Sequence, residues 1–273
     1  MPLVAPAVYS RVRQHNLTVS ARSGATITAG GTAHVMGAWA SLIDPVDEAS
    51  YLLAIRAADV ETAAADTSML MDLGIGPSGG GSEVVILPFL DLGAADASIS
   101  GMGKFWEFPV NISKGVRLSA RAQSAIVSDT VTIAVYLHQR SLYPLPVSRW
   151  KEYGSVATSS RGTLVAPGNG AFGSWVSVGV TTTRRHNYWT VGYDQGGDVT
   201  LANAGGVLVE LGYEVGAERL IGQFMFRQTN SEDLAGPFPS SPLYHPVPSG
   251  VQMRVRIASA ETENRGIIIY AGD

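Results

Sequence analysis

The chain has 273 residues, of which 45% are hydrophobic and only 15% charged, with 31 glycines, no cysteine and a net charge of −4. Charge this far below the roughly 25% typical of globular proteins argues for a well-buried, folded chain and against disorder. The absence of cysteine excludes disulfides, thiolate zinc sites and thiol nucleophiles, and leaves the redox compartment open. With no basic stripe to neutralise phosphates, nucleic acid is not expected as a partner. The N-terminal segment lacks a signal-peptide core, and no 18-residue apolar run is present. The expectation is a soluble cytoplasmic product without membrane insertion.

In chain order, residues 1–21 read as an N-terminal arm. A first block follows from about residue 22 to 140, then a proline-containing linker over 141–151 around Tyr143-Pro144-Leu145-Pro146-Val147. A second block runs over 152–273. The two blocks are copies of one unit. Gly37-Ala38-Trp39 matches Gly173-Ser174-Trp175, and Leu70-Met71-Asp72-Leu73-Gly74 matches Leu208-Val209-Glu210-Leu211-Gly212. Glu83 matches Glu218, Gly115-Val116 matches Gly250-Val251, and Ile133-Ala134-Val135-Tyr136 matches Ile267-Ile268-Ile269-Tyr270. A spacing of about 135 residues far exceeds the ~20–50 of solenoids, so each copy is domain-sized.

Within a copy, period-two alternation marks strands. Trp106, Phe108, Val110 and Ile112 share one face, with Pro109 at an edge or bulge. Val116–Ala122, Val251–Ile257 and Val131–Leu137 alternate or are rich in β-branched residues. Ser113-Lys114-Gly115 and Pro248-Ser249-Gly250 supply turns, and Asp59–Asp66 reads as a helical turn or two. About eight short strands per copy suit an all-β fold: two tandem β-sandwich domains, jelly-roll-like, related by internal duplication. An immunoglobulin-like topology is the alternative.

No catalytic template is filled. His15, His34, His138, His186 and His245 are scattered and read as surface or edge-strand residues, without metal-site spacing. Gly76-Pro77-Ser78-Gly79-Gly80 matches a nucleophile elbow, but glycine and then a strand-like run follow where a helix is required. Asp44, Asp47 and Glu48 form an acidic cluster whose spacing fits a solvated loop better than a calcium site. The recurring acids Asp72/Glu210 and Glu83/Glu218 read as structural. Trp39 and Trp175 read as core residues at strand starts. Phe105, opposite Trp106 on its strand, and Trp189 are the candidate glycan-stacking rings. No enzyme, cofactor or metal is expected.

The stretches Asp66-Thr67-Ser68-Met69-Leu70-Met71-Asp72-Leu73-Gly74-Ile75-Gly76, Ser82-Glu83, Lys114-Gly115-Val116-Arg117-Leu118-Ser119-Ala120-Arg121 and Ser128-Asp129-Thr130 resemble a module of minor tail and other virion structural proteins of tailed phages, especially those of actinobacterial hosts. The resemblance covers most of residues 37–137 and is fainter in the second copy. It implies a virion structural protein at the tail tip or baseplate, or else a capsid decoration protein or a host-surface glycan-binding module. Its partners would be other virion proteins and further copies of itself, with a trimer favoured because tandem copies then match sixfold surroundings.

Overall fold

A computed structural model describes residues 12–18, 24–61, 68–94, 104–139, 143–144, 147–194, 205–228, 233–235 and 241–273. The first copy comprises β1 (Val12–His15), β2 (Ala25–Thr28), β3 (Ala40–Ile43), β4 (Leu52–Glu61), β5 (Ser68–Pro77), β6 (Val84–Ala94), β7 (Phe105–Phe108), β8 (Val116–Ser124) and β9 (Thr130–His138). The second comprises β10 (Trp150–Tyr153), β11 (Ser155–Val156), β12 (Arg161–Val165), β13 (Gly168–Asn169), β14 (Val176–Ser177), β15 (His186–Asp194), β16 (Gly205–Val215), β17 (Ala217–Gln228), β18 (Asp233–Ala235), β19 (Leu243–Val247), β20 (Gln252–Ser259) and β21 (Arg265–Gly272).

The strand order establishes the duplication strand by strand. In the first copy one sheet runs β1-β9-β4-β7, with β2 also on β9, and faces a sheet β3-β8-β5-β6. In the second, β10 and β12 lie on β21, which continues to β15 and β19, and this sheet faces one holding β14-β20-β16-β17. Both pairs of sheets follow the two-Greek-key order of a jelly roll, which separates this fold from the immunoglobulin alternative. The second copy adds β11, β13 and β18, the short β13 pairing parallel to β20.

Two expectations change. The segment expected as an arm without a counterpart contributes β1, whose pairing of His15 with Tyr136 repeats that of Glu152 with Tyr270 in β10. Val-Arg-Gln-His and Trp-Lys-Glu-Tyr share a register on β9 and β21 but no side-chain chemistry, so a residue match cannot find them. The Asp59–Asp66 segment is strand through Glu61, and residues 62–67 lie outside the described set. Pairing with β9, which extends along β4 to Glu61 opposite Thr130, overrides weak local helix preference.

Each sandwich has its own core. Leu53, Ile55, Leu73, Ile86, Trp106, Leu118, Ile133 and Val135 fill the first. Val191, Val209, Leu211, Met253, Val255, Ile257, Ile267 and Ile269 fill the second. The first core also takes in Trp150, Tyr188, Ile268 and Tyr270 from the second copy. The sheet carrying β15 and β21 is therefore buried on both faces, one against its own sandwich and one against the first copy.

Candidate functional site

The acids and tryptophans that recur in the sequence converge in space. In the first copy Asp72 on β5 lies opposite Arg121 on β8. Arg121 donates to Asp72 Oδ2 through Nε at 3.0 Å and Nη2 at 2.8 Å, while the Phe89 amide donates to Oδ1 at 3.0 Å. The Arg121 guanidinium sits 4.6 Å over the Trp39 ring. Gly74, two residues past the acid, leaves room for that ring: a Cβ there would lie 2.8 Å from it. The second copy repeats the acid, the arginine, the tryptophan and the glycine, with the Gln223 side chain donating to Glu210 Oε1 at 2.7 Å where the first copy uses a backbone amide. Arg256 on β20 lies opposite Glu210 on β16, donates to it at 2.5 Å, and covers Trp175 at 4.7 Å and Phe172 at 4.8 Å. Gly212 again makes room, with a Cβ position 3.1 Å from Trp175.

This is a clamp. The tryptophan arrives from the segment just before β3 or β14 and is pinned onto the outer face of β5 or β16. An arginine spans it and the buried carboxylate. Both acids are buried with their charge paired, the condition under which a buried carboxylate is tolerated. The acids and tryptophans were visible as repeats; the arginines were not, because they fall five residues beyond the matched Gly-Val blocks. A second ion pair recurs less strictly, Arg117 with Glu83 at 3.3 Å and Arg254 with Glu218 at 3.5 Å. Arg254 occupies the register position of Ser119, since Ser119 pairs with Gly74 and Arg254 with Gly212.

The joint between the copies is a second constellation. The Asp91 amide donates to Tyr270 Oη at 2.7 Å, and that hydroxyl donates to the Phe89 carbonyl at 2.9 Å. Burial pushes the Tyr270 phenol well above its ordinary range, so it remains a neutral donor. Lys104 pairs with Asp91 at 3.6 Å and donates to the Tyr193 carbonyl. Gln123 donates to the Ala157 carbonyl at 2.7 Å, and His34 meets Ser160 at 3.0 Å. Phe108 packs edge-on against Trp150 and Tyr270. Gly192 permits the close approach: a Cβ there would stand 2.9 Å from the Asp91 Cβ.

The other candidates fall elsewhere. Trp189 is 0% exposed, and its indole N–H donates to the His245 carbonyl at 2.8 Å. It faces the second core and offers no stacking face, which corrects its assignment as a glycan ring. Phe105 is half-buried on β7, while Trp106 faces the core. Ser78 is bonded to Asp44, whose carboxylate also accepts from the Gly79 amide at 3.0 Å. Those two bonds hold the Asp44 carboxyl below its usual value, so the acid closes the Gly-rich loop. Among the described residues no three metal-ligating side chains cluster, Asp44, Asp47 and Glu48 included.

His186, expected at the surface or on an edge strand, is fully buried on β15, which is paired on both sides by β19 and β21. Its Nε2 lies 2.8 Å from the Tyr153 hydroxyl, and its Nδ1 lies 2.8 Å from Asp273 Oδ1. Arg184 holds the same Asp273 carboxylate at 2.7 Å. Burial depresses the histidine, outweighing the attraction of Asp273, and pushes the Tyr153 phenol up to about 12. With the phenol so hard to ionise and the carboxylate committed to Arg184, the group ties β10 to β15.

No family model and no curated protein matches the chain. Among solved structures it is similar to PNGase F, a glycosylasparaginase from Flavobacterium meningosepticum, at 8% identity and a TM-score of 0.33 over 91% of this chain and 96% of that one. Superposition at that level transfers neither substrate nor mechanism.

Proposed function

We propose that the chain is a non-enzymatic structural component of a tailed-phage virion, a minor tail, tail-tip or baseplate protein that assembles with copies of itself in a symmetric ring. The observation that carries the proposal is the clamp. After duplication the two copies share little sequence, yet both keep an acid, an arginine, a tryptophan and a glycine in one arrangement whose effect is to fasten a loop to a sheet. A function resting on rigidity retains such parts. The buried polar joint and the stretches over residues 37–137 that resemble phage virion proteins support the same reading. Capsid decoration would use the same frame and differ only in address.

The test is to label the chain in purified particles and find where it sits. Density for two jelly rolls per chain at the tail tip or baseplate is the expected result. A chain that is absent from particles and acts on a host polysaccharide would overturn the proposal.

A further inference from the structure

We infer that the end of the second copy's sandwich, beneath the connection from β20 to β21, binds a small amino-acid-like zwitterion, with its carboxylate on Arg265 and its ammonium on Glu261 and Glu263. The site lies away from the clamps and the joint, and it stands or falls independently of the virion reading.

β20 and β21 belong to opposite sheets, so residues 260–264 cross the end of the sandwich. Residues 125–129 make the same crossing in the first copy, between β8 and β9. Register makes the two ends comparable. Ser119 stands where Arg254 stands, which sets Ser124 against Ser259. Tyr136 stands where Tyr270 stands, which sets Val131 against Arg265. Both crossings start with the same turn: the Ile126 amide donates to the Ser124 hydroxyl at 3.1 Å, and the Glu261 amide to the Ser259 hydroxyl at 3.1 Å. The first copy then closes its end with the half-buried Ile126, the core residue Val131 and a Ser124–Asp129 hydrogen bond of 3.0 Å. The second copy has Glu261 in place of Ile126 and Arg265 in place of Val131.

Arg265 alternates with the core residues Ile267 and Ile269 and pairs with the core residue Val165, so its side chain enters the end of the second core. It is 0% exposed. Its Nη1 donates to the Glu263 carbonyl at 2.8 Å and to the Asn264 carbonyl at 3.3 Å, which orients the guanidinium. Nε and Nη2 are buried and have no hydrogen-bond partner. Those two nitrogens form the edge that grips a carboxylate through parallel bonds. Glu261 is buried with Oε1 unpartnered, and the half-buried Glu263 has Oε2 buried and unpartnered. Among the described residues no ion pair joins either acid to Arg265.

Buried polar atoms are almost always partnered, and leaving them open costs stability. The first copy shows that apolar residues close this end without that cost. A core that instead takes an arginine and an acid, each with an open edge, gives up stability for a further task. The open groups define what completes them. Arg265 lacks an acceptor, and one carboxylate meets Nε and Nη2 together. The glutamates lack a donor, and two acids nearby repel a simple anion. A molecule carrying both a carboxylate and an ammonium group satisfies all three side chains. The exposed Thr262 and Asn264 flank Glu263, so the site lies one residue from solvent.

Thermal melting of the dialysed full chain in glycine tests the inference, with acetate and ethylammonium as half-ligands. Glycine should raise the melting temperature progressively with concentration, as a ligand of the folded state does, and either half-ligand should do so far less. Arg265→Gln should weaken glycine about tenfold or more, because the carboxylate loses its partner. Glu261→Gln, which leaves Arg265 in place, should weaken glycine and strengthen acetate. Ligand-free stability supplies a second readout. Glu261→Ile with Arg265→Val installs the first copy's residues, and this double variant should melt no lower than the unmodified chain while losing its response to glycine. No response to glycine in the unmodified chain, an equal response to acetate, or a response that survives Arg265→Gln would overturn the inference. So would a double variant that fails to fold, since the charged residues would then be structural.

Discussion

Replacing Arg121 by Met keeps most of the aliphatic stem and removes the guanidinium from the clamp. Asp72 is buried, with Oδ1 taken by the Phe89 amide and Oδ2 held, among the described residues, by the two Arg121 contacts. Breaking a fully buried pair from one side costs about 3–5 kcal/mol, because a charge is left without its partner. The Arg121 side chain is 32% exposed, however. Water reaching the vacated space screens the carboxylate and lowers the figure to roughly 2–3 kcal/mol. Loss of the cation–π contact with Trp39 adds about 0.5–1 kcal/mol. The sum, about 3 kcal/mol, corresponds to a fall in melting temperature of roughly 6–12 °C for a unit of this size. Differential scanning calorimetry and urea titration of Arg121→Met measure it. Adding Asp72→Asn should recover part of the loss, since the orphaned charge is then gone. A cost below about 0.5 kcal/mol, or no recovery in the double variant, would refute the clamp as a stabilising device.

Further outcomes are expected. Trp189→Ala should cost about 3–5 kcal/mol by opening a cavity in the second core, whereas Phe105→Ala should cost much less; equal losses in urea titration would contradict their assigned burial. Tyr270→Phe removes the hydroxyl that serves both Asp91 and Phe89, so a loss of about 1–3 kcal/mol is expected with the fold retained by circular dichroism. Gly192→Ala should destabilise by about 1–3 kcal/mol, because its methyl meets the Asp91 Cβ across the joint; a neutral result would show that the two copies are not closely apposed there. The depressed His186 sets a pH dependence. The unfolded chain binds the proton more readily than the folded one, so stability should fall as pH drops below about 6.5. His186→Gln should flatten that part of the profile in urea midpoints taken between pH 7 and 5.

The repeat was legible because the clamp fixes Trp39 and Trp175, Asp72 and Glu210, and Gly74 and Gly212 at matching places. Strand alternation likewise placed Trp106 and Phe108 toward the core. What escaped has a physical reason in each case. Arg121 and Arg256 lie on alternating strands where a long charged residue on the outer face looks like ordinary solvated surface. Trp189 sits on β15, which is buried on both faces, so alternation carries no information about exposure there. β1 and β10 match only by their place on a neighbouring strand. The joint was invisible because Asp91 and Lys104 are far from Tyr270 in the chain, and nothing local marks a polar residue that will be buried against another domain.

A map of the whole particle tests the central claim most directly. The claim predicts two jelly-roll densities per chain, arranged in a closed ring at the tail tip or baseplate. Particles that contain no such density, prepared from cells making the chain in full amount, would contradict it.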